Sequence, residues 1–299
     1  MSIAVIILTY DEQLHIARAI ESCFQFTDQI LVVDSGSTDR TVEIAESLGA
    51  LVKVNKFINQ AQQFNWALKF CSLEASWIFR LDADEIVSDR LAKQLLAISA
   101  NPNTFENGFT VNRYIAWMGS PIRWGGVFPL EVVRLFRNGY GKSEDRWMDE
   151  HILIKGEIGK LDGELIDDNL KPLSWWVVKH NNYASREVIE ILKTESEPSK
   201  DNKSSSLTPH SKKKRAVRKM LYANLPLGLR PFVYFSYRYF VRLGFLEGFR
   251  GFSFHFLQCF WYRLLVDAKL LEVKNYARKK DVELDIAIKE ILEIDPNSF

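Results

Sequence analysis

Over its amino-terminal third the chain alternates strand-length apolar runs with stretches of helical spacing, and few architectures accept that alternation. Residues 3–9, 29–33, 51–55 and 77–81 are rich in Val, Ile and Leu and short enough to be buried strands. Between them, Leu14, Ala17, Ile20 and Cys23 mark a helix over 12–24, with Asp11 as its N-cap. Helices are also expected over 41–48, stopped by Gly49, and over 60–71. The pattern predicts a parallel, doubly wound α/β sheet with right-handed crossovers. Further on, the sequence predicts a helix over 91–99, strands over 109–114, 132–136 and 152–154, and a terminal helix within 281–294.

The fourth apolar run ends in Asp82-Ala83-Asp84-Glu85. Carboxylates this close repel one another and need compensation. A divalent cation supplies it best: Mg²⁺ or Mn²⁺ prefers hard oxygens and fills its remaining sites with water and phosphate. An acidic turn capping the next helix through Asp84 or Asp89 is the simpler alternative. Open α/β sheets bind ligands beyond the carboxyl ends of their strands. Asp34 ends the second run, so its carboxylate is expected on the same edge, able to accept a base N–H or a ribose hydroxyl. Thr9, Tyr10 and Glu12 close the first strand. Ser35 to Asp39 make a small-residue turn that can offer N–H groups to an anion, or cap a helix through Ser37 or Asp39. Gln62 and Asn65, on the following helix, either reach the crevice or are solvated. Downstream, Asp149 and Glu150 follow Trp147 and Met148; a carboxylate beside an aromatic wall can serve as a base, and an acidic surface loop is the alternative.

These blocks resemble the inverting glycosyltransferases of family 2. The opening strand with Asp11-Glu12, the stretch from Val32 to Thr41, and Asp82-Ala83-Asp84 as a D-x-D match that family in order and spacing over roughly the first 155 residues. The remainder is similar to bacterial lipopolysaccharide-core and cell-surface polysaccharide transferases. The resemblance implies a GT-A fold, a UDP-sugar donor, a divalent cation (Mg²⁺ or Mn²⁺) and inverting transfer to a saccharide or lipid-linked acceptor. Carried over by position, Thr9, Tyr10, Glu12, Asp34, Ser35, Gln62, Asn65 and Asp82 would form the donor nucleotide site. Asp84, with Asp82, would serve the metal. The base would fall at Asp149-Glu150, with Glu150 preferred. Relatives in that subgroup often carry His-Glu there, and this chain has Asp149 in place of the histidine.

Composition sets the outer limits. A net charge of +1 over 299 residues gives no overall field for nucleic acid. Three scattered cysteines, without metal or redox spacing, suit a reducing compartment. The amino terminus lacks the basic region of a signal peptide. Residues 1–205 are expected to form the catalytic domain and 206–299 a helical, aromatic and basic region. There, Lys212 to Lys219 form a basic block, and the longest uncharged stretch, 251–262, is too short to span a bilayer. Amphipathic helices lying on the inner face of the cytoplasmic membrane are expected, with packing as a core or a dimer interface as alternatives. A nucleotidyltransferase would share the crevice, but it usually has a Gly-rich loop where Tyr10-Asp11-Glu12 stand. A membrane scaffold with a dead nucleotide site would not need Asp34, Asp82, Asp84 and Glu150 together.

Overall fold

β1 (Ile3–Thr9) and β2 (Ile30–Asp34) are buried along their entire length, as strands covered on both faces must be. The computed structural model describes residues 1–70, 74–144, 151–196 and 225–296. By packing, the chain divides into one unit of residues 1–122 and 127–170, and a second of 123–126 and 171–299. The expected boundary, 205/206, lies outside the described residues.

In the first unit, β1 pairs in parallel with β2 and with β4 (Trp77–Asp82), and β2 with β3 (Leu51–Val54). α1 (Ile16–Cys23), α2 (Thr41–Ser47) and α3 (Gln60–Phe70) join these strands. β5 (Glu85–Val87) and α4 (Asp89–Ala100) follow, then β6 (Gly108–Trp117), the two-residue β7 (Ser120–Pro121) and β8 (Leu130–Arg137). β9 (Gly141–Ser143) and β10 (Ile152–Ile154) form a separate hairpin, and β11 (Ile158–Asp167) ends the unit. The main sheet runs β3-β2-β1-β4-β8-β6-β11-β5, with β8 antiparallel to both its neighbours. Side chains alternate between two cores. Ile7, Val32 and Phe79 face one with α1 and α4, and Ile6, Val33 and Ile78 face the other with Phe64 of α3. This is the α/β architecture that the GT-A resemblance implies.

Two local expectations change. α1 starts at Ile16, four residues late, because Asp11 adopts a left-handed backbone (φ 51°) and turns its carboxylate to Thr38 N–H at 2.8 Å instead of capping the helix. α4 is capped by Ser88, whose Oγ accepts Leu91 N–H at 3.3 Å; neither Asp84 nor Asp89 has that role. β11 escaped the sequence reading, although buried Leu161, Gly163 and Leu165 alternate with exposed Asp162 and Glu164 in a half-buried strand pattern. Gly163 lets β11 lie against α4, since a Cβ there would sit 2.3 Å from Leu91 Cα.

The second unit is helical: α5 (Leu173–Ser196), α6 (Leu229–Ser236), α7 (Gly248–His255), α8 (Tyr262–Lys280) and α9 (Leu284–Leu292), with π-helical turns at Tyr237–Val241 and Phe256–Trp261. Buried Glu187 of α5 accepts the Tyr262 hydroxyl at 2.7 Å and Arg263 Nη1 at 2.6 Å, which ties α5 to α8. Phe254, Tyr262 and Val266 are buried, whereas Phe232, Phe240, Val241, Leu246 and Phe249 are exposed. The aromatic stretch thus forms both a core and a surface. Among the described residues no helix is long and apolar enough to cross a membrane.

Candidate functional site

Register places three of the expected residues on one edge. Thr9 lies opposite Asp34, and Leu8 opposite Asp82, at the carboxyl ends of three neighbouring parallel strands. The pleat sends Thr9 and Asp34 to the α1 face and Asp82 to the α3 face.

On the α1 face, two strand-end loops are stitched together. Asp34 Oδ2 accepts the N–H groups of Gly36 and Ser37, both at 2.8 Å, and Oδ1 accepts the Ser37 hydroxyl. Asp11 N–H donates to Ser37 Oγ at 2.8 Å, Glu12 N–H to Thr41 Oγ1 at 2.7 Å, and Gln13 N–H to Asp39 Oδ2 at 3.1 Å. Asp34 is therefore first the clasp of its own turn. Gly36, with φ 94°, makes that turn possible. Asp39 accepts Thr41 N–H at 2.9 Å just before α2, whose N-cap position is held by Arg40 without a side-chain cap. Thr9 is buried, and its hydroxyl has no hydrogen-bond partner among the described residues. Tyr10 is exposed. Glu12 contacts His15 Nδ1 at 2.5 Å. Leu170 N–H donates to His15 Nε2 at 2.8 Å, so the buried ring is neutral with its proton on Nδ1, directed at Glu12.

On the α3 face, Gln63 reaches the edge: its amide donates to Ser35 Oγ at 3.1 Å and to Asn55 C=O at 3.0 Å. Gln62 is half-buried and its N–H caps onto Asn59. Asn65 pairs doubly with Ser143, accepting its N–H at 2.8 Å and donating to its C=O at 2.9 Å, which docks the β9–β10 hairpin on α3. At the far end of that hairpin, Glu144 N–H donates to His151 C=O at 2.8 Å. Asp149 and Glu150 lie outside the described residues.

The acidic turn is the electrostatic centre. Arg134 Nη2 donates to Asp82 Oδ2 at 2.9 Å and to Glu85 Oε1 at 2.5 Å, Arg113 Nε lies 3.0 Å from Glu85 Oε1, and Arg80 Nε 3.6 Å from Asp82 Oδ1. Arg113 also binds Asp167. Burial pushes the Asp82 carboxyl up, but Arg134, Arg80 and Arg113 outweigh it and hold the group well below the usual carboxylate range. Burial dominates at Glu85, helped by the Asp82 charge, and raises it. At these two residues the compensation expected from a cation is supplied by arginines. Half-buried Asp84 differs: its Oδ2 accepts the neutral Asn169 amide at 3.1 Å, and its C=O accepts Asp168 N–H at 3.1 Å. Among the described residues no three His, Cys, Asp or Glu converge on a metal position. Asp84 nevertheless fits a hard cation that takes one protein carboxylate and draws its other ligands from water and phosphate.

The sequence reading missed His15, Arg80, Arg113, Arg134 and the Asp167-Asp168-Asn169 segment. Arg80 carried a signal: a cation inside an apolar strand, two residues before the carboxylates, is rarely buried without partners. His15 stands just before α1, and the others come from β6, β8 and the end of β11, far along the chain.

Residues 4–154 match the model of glycosyl transferase family 2. An uncharacterized glycosyltransferase of Rickettsia conorii is 37% identical over 115 residues, 38% of this chain and 38% of that protein. One of Rickettsia bellii is 39% identical over 115 residues, covering 38% of this chain and 36% of its own length. The chain thus spans well under half of these relatives. The lipopolysaccharide core biosynthesis glycosyltransferase LpsC of Rhizobium meliloti is 26% identical over 192 residues, 62% of this chain and 70% of that protein. Among solved structures, glucosyl-3-phosphoglycerate synthase of Mycobacterium tuberculosis with Mg²⁺ and UDP aligns at 19% identity over 38% of this chain and 43% of its own, with a TM-score of 0.32.

Proposed function

This chain belongs to glycosyl transferase family 2, and from that premise we propose that it is a metal-dependent inverting enzyme moving a hexose from a UDP-sugar to a saccharide or lipid-linked acceptor in bacterial lipopolysaccharide or cell-surface polysaccharide synthesis. The observation that carries this reading is the shared edge of Thr9, Asp34 and Asp82, with Asp84 one turn beyond. The buried, unpartnered Thr9 hydroxyl is a group that a bound nucleotide would satisfy. Likeness to the Rhizobium core enzyme supports the acceptor class.

In this reading the stitched loops after β1 and β2 cradle the nucleoside, and Asp82 stands near the ribose and diphosphate. A divalent cation held by Asp84 would neutralise charge on the departing diphosphate. Glu150, or Asp149 beside it, takes the proton of the acceptor hydroxyl as that oxygen bonds to the anomeric carbon and the bond to UDP breaks. One displacement from the opposite face inverts the centre. The test is thermal: UDP with Mn²⁺ is expected to raise the melting temperature more than either alone. Absence of any shift with UDP, GDP or dTDP would overturn the assignment.

The second unit is proposed to rest on the inner face of the cytoplasmic membrane. Exposed Phe240 and Phe249 join one ring cluster through Phe235 and Phe252, and the neighbouring sequence supplies the basic block from Lys212 to Lys219. Aromatics at the boundary and cations toward anionic headgroups suit a bilayer surface. Vesicles containing anionic phospholipid should sediment the wild-type chain and leave a Phe240→Glu, Phe249→Glu variant in the supernatant. Equal sedimentation would refute the assignment.

A further inference from the structure

β8 contains a β-bulge. Phe109 of β6 pairs with Leu135 and the next residue, Thr110, pairs with Val133, so Arg134 is the extra residue. A bulge leaves its residue unpaired in the ladder and re-aims the side chain. Here it turns a buried guanidinium onto the acidic turn: one nitrogen, Nη2, reaches both Asp82 and Glu85. Glu85 in turn accepts the Asp82 backbone N–H through Oε2 at 3.1 Å, closing the turn from Asp82 to Glu85 upon itself. Asp84 stands inside that closed turn.

We propose that Arg134 is a positioning residue for the donor site: from its bulge it fixes Asp82 and Glu85, and thereby the conformation in which the turn presents Asp84. The inference rests on the reading of this edge as a UDP and cation site. Arg134 acts by holding the carboxylates in one arrangement, as hydrogen-bonded partners of metal-site ligands commonly do.

The experiment uses the full chain and calorimetric binding of UDP in the presence of Mn²⁺, alongside melting temperature. Wild type comes first: if it binds no UDP, the functional reading itself fails, whatever Arg134 does. Given wild-type binding, Arg134→Met is expected to weaken it by about 10–100-fold and to lower the melting temperature, since buried Glu85 and half-buried Asp82 lose the cation they share. Arg134→Met combined with Glu85→Gln removes opposite charges together and should recover much of the melting temperature while binding stays weak. Arg134→Lys, which keeps a cation near both carboxylates, should recover part of the binding. A double variant that regains stability and binds as tightly as wild type would show Arg134 to be structural only and overturn the proposal. Equally weak binding by Arg134→Lys and Arg134→Met would also overturn it.

Discussion

Glu150→Gln is expected to bind UDP and Mn²⁺ as the wild type does and to lose about 10²–10⁴-fold in turnover. The amide matches the carboxylate in size and can still meet a hydroxyl, but it cannot take its proton. Donor binding should survive because the proposed cradle is built from the loops after β1 and β2. Donor titration followed by single-turnover assay separates the two effects. The informative contrary result is normal transfer by Glu150→Gln with none by Asp149→Asn, which would move the base by one position. A loss of donor binding in Glu150→Gln would place that carboxylate in the nucleotide site instead.

Asp267→Ala is expected to destabilise the second unit by about 3–5 kcal/mol, the cost of breaking a buried ion pair by removing one partner. Asp267 and Arg230 are both buried. Asp267 Oδ1 accepts Arg230 Nε at 2.7 Å, while Oδ2 accepts Gly228 N–H at 2.8 Å where the backbone turns into α6 with φ 80° at that glycine. One carboxylate thus neutralises a cation and fixes a helix entry. Asp267→Asn keeps an acceptor for Gly228 and should cost less than the alanine. Urea denaturation followed by tryptophan fluorescence would measure both, and an alanine variant as stable as wild type would disprove the role given to this pair.

The parts of the first unit legible in the sequence are those set by short-range pattern. β1, β2 and β4 could be read because Val, Ile and Leu runs of strand length are followed by turn residues, and parallel pairing then forces their ends onto one edge. The edge residues Thr9, Asp34 and Asp82 follow from that logic alone. What holds them could not be read so. Arg134 and Arg113 reach the acidic turn from strands whose order in the sheet depends on antiparallel pairing of β8 with β4 and β6, and nothing local announces a bulge at Arg134. His15 looked like one more helical residue until Leu170, 155 residues away, was found donating to its ring. Propensity also misled at Asp11: a good capping residue found better partners across the loop in Thr38 and Asp39.

The hairpin of β9 and β10 has a consequence for divergence. Among the described residues its two strands pair with each other and not with the main sheet, and Asn65 and Ser143 tie it to α3. The register of the large sheet is therefore set without β9 or β10. A chain built this way can vary in that hairpin over evolutionary time while the stitched loops after β1 and β2 keep their arrangement.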